Sequence, residues 1–295
     1  MRALAYEAPQ TVAEAVALLA AHGGRARPLA GGTDLVVQLR LGLHELDTVV
    51  DVKRIPALRR VAYDSRRGLT IGAAVTCAEL GEHPDVVAHY PGLLDGVGII
   101  GGAAIQGRAT LGGNLCNAAP SGDGIAALIM LGAMAHIAGP QGERDVPAEA
   151  LCTAPRRTVL TPGELLVSLH IPPPEPRAGA HYLRFTPRAE MDIAVAGAGA
   201  WVRLTDDGER IAAVRIALSA VAPTPLLVEA ARAALIEQEA NEEALAAAAH
   251  LAREATQPIA DVRGGIAQRQ HLVEVLVKRA LRGAIQRARG EGLHD

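Results

Sequence analysis

Aromatic side chains are nearly missing. Six Phe, Trp and Tyr residues serve 295 positions, which leaves little on which to stack bases and argues against single-stranded nucleic acid as a ligand. Lysine is scarcer still. Lys53 and Lys278 are the only two, and the formal net charge is −3. No basic block exists to seat a polyanion, so nucleic acid is not an expected partner. The three cysteines, Cys77, Cys116 and Cys152, are far apart and odd in number. They suggest no disulfide framework, and without a CxxC pair any iron–sulfur centre must sit on another chain. No stretch reaches the roughly 18–20 uncharged apolar residues of a membrane span. The opening residues, interrupted by Glu7 and Glu14, lack a signal-peptide layout, so a cytoplasmic protein is expected. H-x-x-x-H, H-E-x-x-H, G-x-S-x-G and P-loop patterns are absent as well. That removes the common zinc-protease, hydrolase and P-loop readings.

What remains is long enough for two domains with real cores. Residues 4–6 read as a short strand, and Thr11 can cap a helix whose apolar positions run Val12, Ala15, Val16, Leu18, Leu19. Arg27–Ala30 reads as a strand entering Gly31-Gly32, with a helix over Thr33–Leu41. Apolar strands follow at Thr48–Val52 and Leu69–Gly72, separated by a turn-like charged stretch, then short helices at Thr76–Gly81 and Pro84–His89. Residues 96–124 are so rich in glycine that one regular helix is ruled out, because each interior glycine costs roughly 1 kcal/mol relative to alanine. They read as loop-rich. A buried helix is expected over 125–134, and a strand at Ala135–Ala138. Pro172, Pro173, Pro174 and Pro176 mark a linker over 171–181. Beyond it the segments 191–204 and 211–222 read as two strands around Asp206-Asp207-Gly208, an antiparallel hairpin. Helical patterns follow at 224–235, 241–256 and 268–288. In the last of these Leu272, Val275, Leu276, Ala280 and Leu281 face the helix's own core rather than a partner. The reading is an α+β unit over 1–176 and a strand–helix unit over 177–295.

Two glycine segments carry the functional argument. In Pro28-Leu29-Ala30-Gly31-Gly32-Thr33-Asp34-Leu35 a strand enters a double glycine and a helix leaves it. Glycine lets backbone approach a ligand, and successive N–H groups in such a turn make a concave donor cluster suited to a diphosphate. In Ala109-Thr110-Leu111-Gly112-Gly113-Asn114-Leu115-Cys116-Asn117-Ala118-Ala119-Pro120-Ser121-Gly122-Asp123 the double glycine recurs. There Thr110, Asn114, Asn117 and Ser121 can bind phosphate or ribose, and Asp123 can accept from ribose hydroxyls. Either segment alone is equally well a tight turn. Two of them with matching polar dressing favour a dinucleotide. Gly96-Val97-Gly98-Ile99-Ile100-Gly101 matches G-x-G-x-x-G, but no crossover helix follows, so a Rossmann site is not expected. Cys116, inside the second segment, reads as a packing residue.

At these two segments the chain resembles the FAD-binding, or medium, subunits of molybdenum hydroxylases of the xanthine dehydrogenase and carbon monoxide dehydrogenase kind. The resemblance continues through Leu160-Thr161-Pro162-Gly163-Glu164-Leu165-Leu166, Arg188–Ala194, Pro258–Gly265 and Arg269. It implies a two-part FAD-binding domain of the vanillyl-alcohol oxidase (PCMH) type, then a small domain with an antiparallel sheet and helices. It implies FAD held by Leu29, Ala30, Gly31, Gly32, Thr33, Asp34 and Leu35 and by Ala109, Thr110, Gly112, Gly113, Asn114, Asn117, Ala118 and Ser121. Asp123 would lie at the ribose or ribityl side, and Leu160 with the Met191-Asp192 turn would approach the isoalloxazine ring. Gln106 and Arg184 stand where many relatives have Arg and Lys. The implied partners are a large molybdenum-cofactor subunit and a small iron–sulfur subunit. The implied activity is electron transfer from the clusters through FAD to NAD, oxygen or a quinone-type acceptor, with no catalytic side chain and no metal on this chain. The competing readings are a stand-alone flavin oxidase or reductase, and a binding module that has lost its flavin.

Overall fold

The structure, a computed structural model, describes residues 4–189 and 191–293. Glu190, within the Arg188–Ala194 motif, lies outside them. Strand β1 (Ala5–Glu7), helix α1 (Val12–His22), β2 (Ala26–Leu29), α2 (Leu35–Arg40) and β3 (Thr48–Asp51) build a parallel sheet in the order β1-β3-β2. Parallel neighbours need crossovers, and α1 supplies one. Thr11 and Glu14 close a reciprocal capping box at its start, while Ala15 and Leu19 face the core.

A hairpin of β4 (Val61–Asp64) and β5 (Gly68–Gly72) leads into short helices: α3 (Cys77–Glu82), α4 (Pro84–His89), α5 (Pro91–Val97), α6 (Ala103–Gln106), α7 (Leu111–Asn117) and α8 (Asp123–Met130). Every residue of α8 is buried. A second hairpin, β6 (Met134–Gly139) with β7 (Gly142–Pro147), is followed by α9 (Ala148–Leu151) and by the paired β8 (Cys152–Ala154) and β9 (Arg157–Thr158). Strand β10 (Leu165–Ile171) then inserts between the hairpins and completes an antiparallel sheet, β4-β5-β10-β6-β7.

The remainder is a four-stranded antiparallel sheet, β11 (Ala178–Phe185), β12 (Ala196–Leu204), β13 (Ile211–Ser219) and β14 (Leu226–Leu227). Helices α10 (Glu229–Leu235), α11 (Glu242–Glu254) and α12 (Ile266–Ala288) form a layer against it. Glycines let α12 lie close: a Cβ on Gly179 would stand 2.3 Å from the Ala284 carbonyl oxygen. Leu276, Ala280 and Leu281 enter this core, as the sequence pattern implied. Ala180 and Tyr182 of β11 point the other way, into the first core. The fold is thus α+β, a unit with a small parallel and a five-stranded antiparallel sheet followed by an antiparallel sheet with helices.

Several local expectations need correction. The charged stretch after β3 contains β4, which is ordered by pairing with β5. Strands β10 and β11 were not expected, and β11 begins almost directly after the proline run. Helix α2 starts at Leu35 and α10 at Glu229, both later than the pattern suggested. The largest difference is in 96–124: no single helix spans it, as expected, but about half of it is helical, in parts of α5, α6, α7 and α8. Gly112 and Gly113 do not form a bend; they lie in the first turn of α7, capped by the Thr110 hydroxyl, which accepts from Gly113 N at 2.9 Å. First-turn N–H groups have no intrahelical partner, so glycine weakens a helix least there. Packing demands it: a Cβ on Gly112 would stand 2.6 Å from the Ala73 carbonyl oxygen. Gly96 of the apparent G-x-G-x-x-G is likewise a packing glycine, since its Cβ would meet that of Ala127 at 2.8 Å. Among the described residues, no helix is long and apolar enough to cross a membrane.

Candidate functional site

A cleft of about 650 Å3 opens between the small parallel sheet, α7 and the 153–166 segment. That volume is within the ~300–1,000 Å3 typical of small-molecule and cofactor sites. Its floor begins where β2 ends. Carboxyl ends of parallel strands are natural ligand sites, because the loops leaving them are free to present backbone. Here the chain turns through Ala30, Gly31 and Gly32, and Gly32 takes φ +75°, a value that disfavours any side chain.

The two glycine segments meet. A Cβ on Gly31 would fall 1.9 Å from the Arg108 carbonyl oxygen and 3.1 Å from Ala109 Cα. The first loop therefore rests directly on the backbone that leads into α7. Ala109 is fixed in turn, because its carbonyl accepts from Cys77 N at 2.8 Å. Ala30, Gly31, Gly32, Thr33, Asp34, Leu35, Ala109, Thr110, Gly112, Gly113, Asn114, Asn117 and Leu160 all line this one cleft. Asn114 Oδ1 is buried at its wall without a hydrogen-bond partner among the described residues. A buried polar atom left alone costs about 1–3 kcal/mol, so a polar ligand atom would have a donor role to fill here. The residues present fit a dinucleotide.

The other sequence candidates stand elsewhere. Leu29 is the last residue of β2, behind the loop. Ala118 is the left-handed cap of α7, and its carbonyl accepts from Arg156 N at 2.9 Å. Ser121 is half-buried at the seam with the C-terminal sheet, next to Pro120, whose carbonyl accepts from Ala220 N at 2.7 Å. Asp123 is 5 % exposed and faces Tyr182 and Arg184 of β11. Its neighbour Gly124 packs beside Asn114 and Ile100, two residues that line the cleft. Met191 is exposed with φ +52°, and Asp192 approaches Arg263 at 3.8 Å. Leu160 lines the cleft, and Met191 and Asp192 are not among its lining residues.

The side chains that support these segments carry no local sequence motif. Lys53 Nζ donates to the Ala30 carbonyl at 3.1 Å and pairs with Asp51 at 2.7 Å, and Asp51 also accepts from Tyr6 Oη at 2.6 Å. Lys53 thus ties down the carbonyl groups of Leu29 and Ala30 where β2 enters the loop. Being one of two lysines, directly after a strand, was the available signal. Gln38 Nε2 donates to Asn117 Oδ1 at 2.8 Å, and Gln38 Oε1 meets His44 Nε2 at 2.9 Å. This links α2 to the end of α7.

The Leu160 segment is clamped by Glu164. Arg144 grips both carboxylate oxygens at 2.7 and 2.8 Å and also donates to the Val159 carbonyl, while Thr161 N donates to Glu164 at 2.7 Å. The Arg144 hydrogen bonds, with the Thr161 bonds, hold the Glu164 carboxyl at about 2 against an ordinary 4.5, overcoming an opposing desolvation. A depressed carboxylate contributes stability that is complete above its unfolded value and is lost as pH falls through its folded one. Glu164→Gln should therefore cost about 1–2 kcal/mol at pH 7, below the full linkage value because solvent screens the half-exposed Arg144. By pH 3 the gap should shrink to about half. Urea unfolding of both proteins at the two pH values checks this, and an unchanged gap would refute it.

Comparison with known proteins agrees with this geometry. Residues 2–174 match the family described as FAD binding domain in molybdopterin dehydrogenase, and residues 181–284 match the CO dehydrogenase flavoprotein C-terminal domain. The chain is 33 % identical over 279 residues to the carbon monoxide dehydrogenase medium chain of Hydrogenophaga pseudoflava, covering 95 % of this chain and 96 % of that one. It is 31 % identical over 287 residues to the xanthine dehydrogenase FAD-binding subunit of Escherichia coli O157:H7, covering 97 % of each. A solved structure of the Hydrogenophaga pseudoflava carbon monoxide dehydrogenase superimposes with a TM-score of 0.93 at 34 % identity, over 97 % of this chain and 98 % of that chain. By sequence and by fold, the chain belongs to the FAD-binding flavoprotein family of the molybdenum hydroxylases, as an oxidoreductase subunit of the xanthine dehydrogenase and carbon monoxide dehydrogenase type.

Proposed function

We propose that the cleft holds FAD with its diphosphate between the Ala30–Leu35 loop and the Thr110–Asn117 segment, and that the chain relays electrons from iron–sulfur clusters on a small partner subunit to an external acceptor. In this reading a large partner subunit carries the molybdenum cofactor and oxidises substrate. The observation that carries it is the contact of Gly31 with the Arg108–Ala109 backbone, which brings two donor-rich segments to one place. FAD, when bound, supplies the redox chemistry. The chain's own residues bind and orient. Lys53 tethers the first loop through the Ala30 carbonyl, Thr110 caps the start of α7, and Asn114 Oδ1 is an acceptor for the cofactor.

The relatives named as a medium chain and as a FAD-binding subunit favour a multi-chain assembly over a stand-alone oxidase or reductase. The cleft's own chemistry supports the same choice. Its His44 is engaged by Gln38 and its Glu164 by Arg144, so neither is free to act as a general acid or base. The test is to reconstitute the chain with FAD and follow flavin absorbance. Bleaching by the substrate of the complex should require both partner chains. Bleaching by a simple organic substrate with this chain alone would favour the stand-alone enzyme, and a chain that takes up no FAD would overturn the reading.

A further inference from the structure

A second cavity, of about 580 Å3, lies at the seam between the two units. It is separate from the cleft. Strand β10 has Leu166 in the cleft and Ile171 in this cavity, and five strand residues set the two roughly 17 Å apart. The N-terminal unit contributes His89, Tyr90 and Leu131, and the C-terminal sheet contributes Trp201 and Arg215.

Trp201 is the only tryptophan of the chain. It is half-buried and packs against the first core. In the register of β12 and β13 it stands directly opposite Arg215, so the two side chains leave one face of the sheet as neighbours. The indole N–H of a half-buried tryptophan ordinarily finds an acceptor. That of Trp201 has none among the described residues. Arg215 donates from Nε and Nη2 to the Ile129 carbonyl at 3.0 and 2.9 Å, and from Nη2 to Glu149 at 2.9 Å. These contacts fix the guanidinium and leave Nη1 without a partner among the described residues. Two free donors thus belong to adjacent side chains that line one cavity.

Charge decides what they can accept. Arg215 is paired with Glu149, Arg287 with Asp95 and Glu175 with Arg203. Glu291, the remaining acidic residue of the lining, is exposed and has no ion pair among the described residues. An anionic ligand would meet no uncompensated positive charge and would lose hydration without replacing it. A neutral carbonyl oxygen can accept from both donors at a far smaller desolvation cost, and an apolar ring suits the Trp201 face, Leu131 and Ile171.

We propose that the seam cavity is a binding site for a small uncharged aromatic molecule bearing a carbonyl group, its ring against Trp201 and its oxygen between Trp201 Nε1 and Arg215 Nη1. The inference does not depend on the cleft being the FAD site. Because both units line the cavity, an occupant would also tie them together.

The test titrates benzamide into the full chain, with benzoate and toluene as comparisons, and follows both calorimetry and the emission of the one tryptophan. Benzamide should change the Trp201 emission saturably. Benzoate, which is charged, and toluene, which has no acceptor, should each bind roughly tenfold more weakly, as loss of about 1.4 kcal/mol requires. Trp201→Phe keeps a ring and removes the N–H, and should weaken benzamide in calorimetry by a similar factor. If that variant fails to fold, the three probes on the parent chain still decide. Absence of saturable benzamide binding would overturn the site, as would calorimetric binding that leaves the Trp201 emission unchanged. Toluene binding as tightly as benzamide would reduce the cavity to an apolar crevice, and tighter binding of benzoate would overturn the choice of an uncharged ligand.

Discussion

Gly31→Ala should reduce FAD affinity at least a hundredfold, a loss of about 2.7 kcal/mol or more. The added carbon would lie 1.9 Å from the Arg108 carbonyl oxygen and 3.1 Å from Ala109 Cα, and both neighbours are backbone. No rotamer change can relieve that overlap. The first loop must move away from the segment leading into α7 by more than an ångström, and the donors of the two segments then no longer converge. Gly31 does not need its freedom of φ; it is required for space alone. Gly32 next to it has the opposite requirement, with φ +75° and a Leu29 methyl 2.9 Å from the would-be Cβ. Gly32→Ala should be milder, because a flexible side chain can yield and a left-handed residue costs on the order of 1–3 kcal/mol. Gly81→Ala, with open space around it, is the neutral comparison. Fluorescence titration with FAD ranks the three. A Gly31→Ala protein that binds FAD like Gly81→Ala would mean that the contact between the segments has no part in the site.

That contact marks the limit of what the sequence could tell. Gly31-Gly32 was readable because strand, double glycine and helix follow one another without interruption, and local order sets local shape. Gly112-Gly113 was misread in form. Helix propensity argued for a bend, but Thr110 caps the turn and the close approach of Ala73 requires small residues, so packing overrode propensity. The cleft still emerged, since either conformation exposes N–H groups. Strand β11 was hidden by the proline run before it, although Ala178, Ala180, Tyr182 and Arg184 alternate in the sequence with a period of two. Lys53, Gln38, His44 and Arg156 were out of reach for another reason. Apart from the His44–Gln38 pair, six residues apart, each acts over 23 residues or more, on a carbonyl or amide that no local pattern names. Asp123 was singled out as a polar acceptor; that its carboxylate also joins the C-terminal sheet to the flavin-domain unit came only with the structure.

The same carboxylate carries the largest expected effect on stability. Asp123 accepts from Tyr182 Oη at 2.6 Å on one oxygen and from Arg184 at 2.5 Å on the other, and Tyr182 Oη lies 2.9 Å from Ser219 Oγ. Gly197 leaves room for the cluster, since a Cβ there would stand 2.3 Å from both hydroxyl oxygens. The Asp123 and Arg184 side chains are only 7 % and 10 % exposed. Burial raises the Asp123 carboxyl above its ordinary value despite the opposing pull of Arg184 and Tyr182. Taking two charges out of water offsets much of their mutual attraction, so as a pair they should add little to stability. Removing one member is another matter. Asp123→Ala leaves a guanidinium buried without a counter-charge and should cost about 3–5 kcal/mol. Tyr182→Phe, which loses hydrogen bonds but no charge, should cost about 1–2 kcal/mol. Replacing both charges, Asp123→Ala with Arg184→Met, should regain much of the loss, because no buried charge then stands alone. Denaturant unfolding of the unliganded proteins separates these cases without reference to FAD. If the double variant were as unstable as the sum of its singles, the two side chains would be energetically independent. Charge pairing could then not be what joins α8 to the C-terminal sheet beside the cleft.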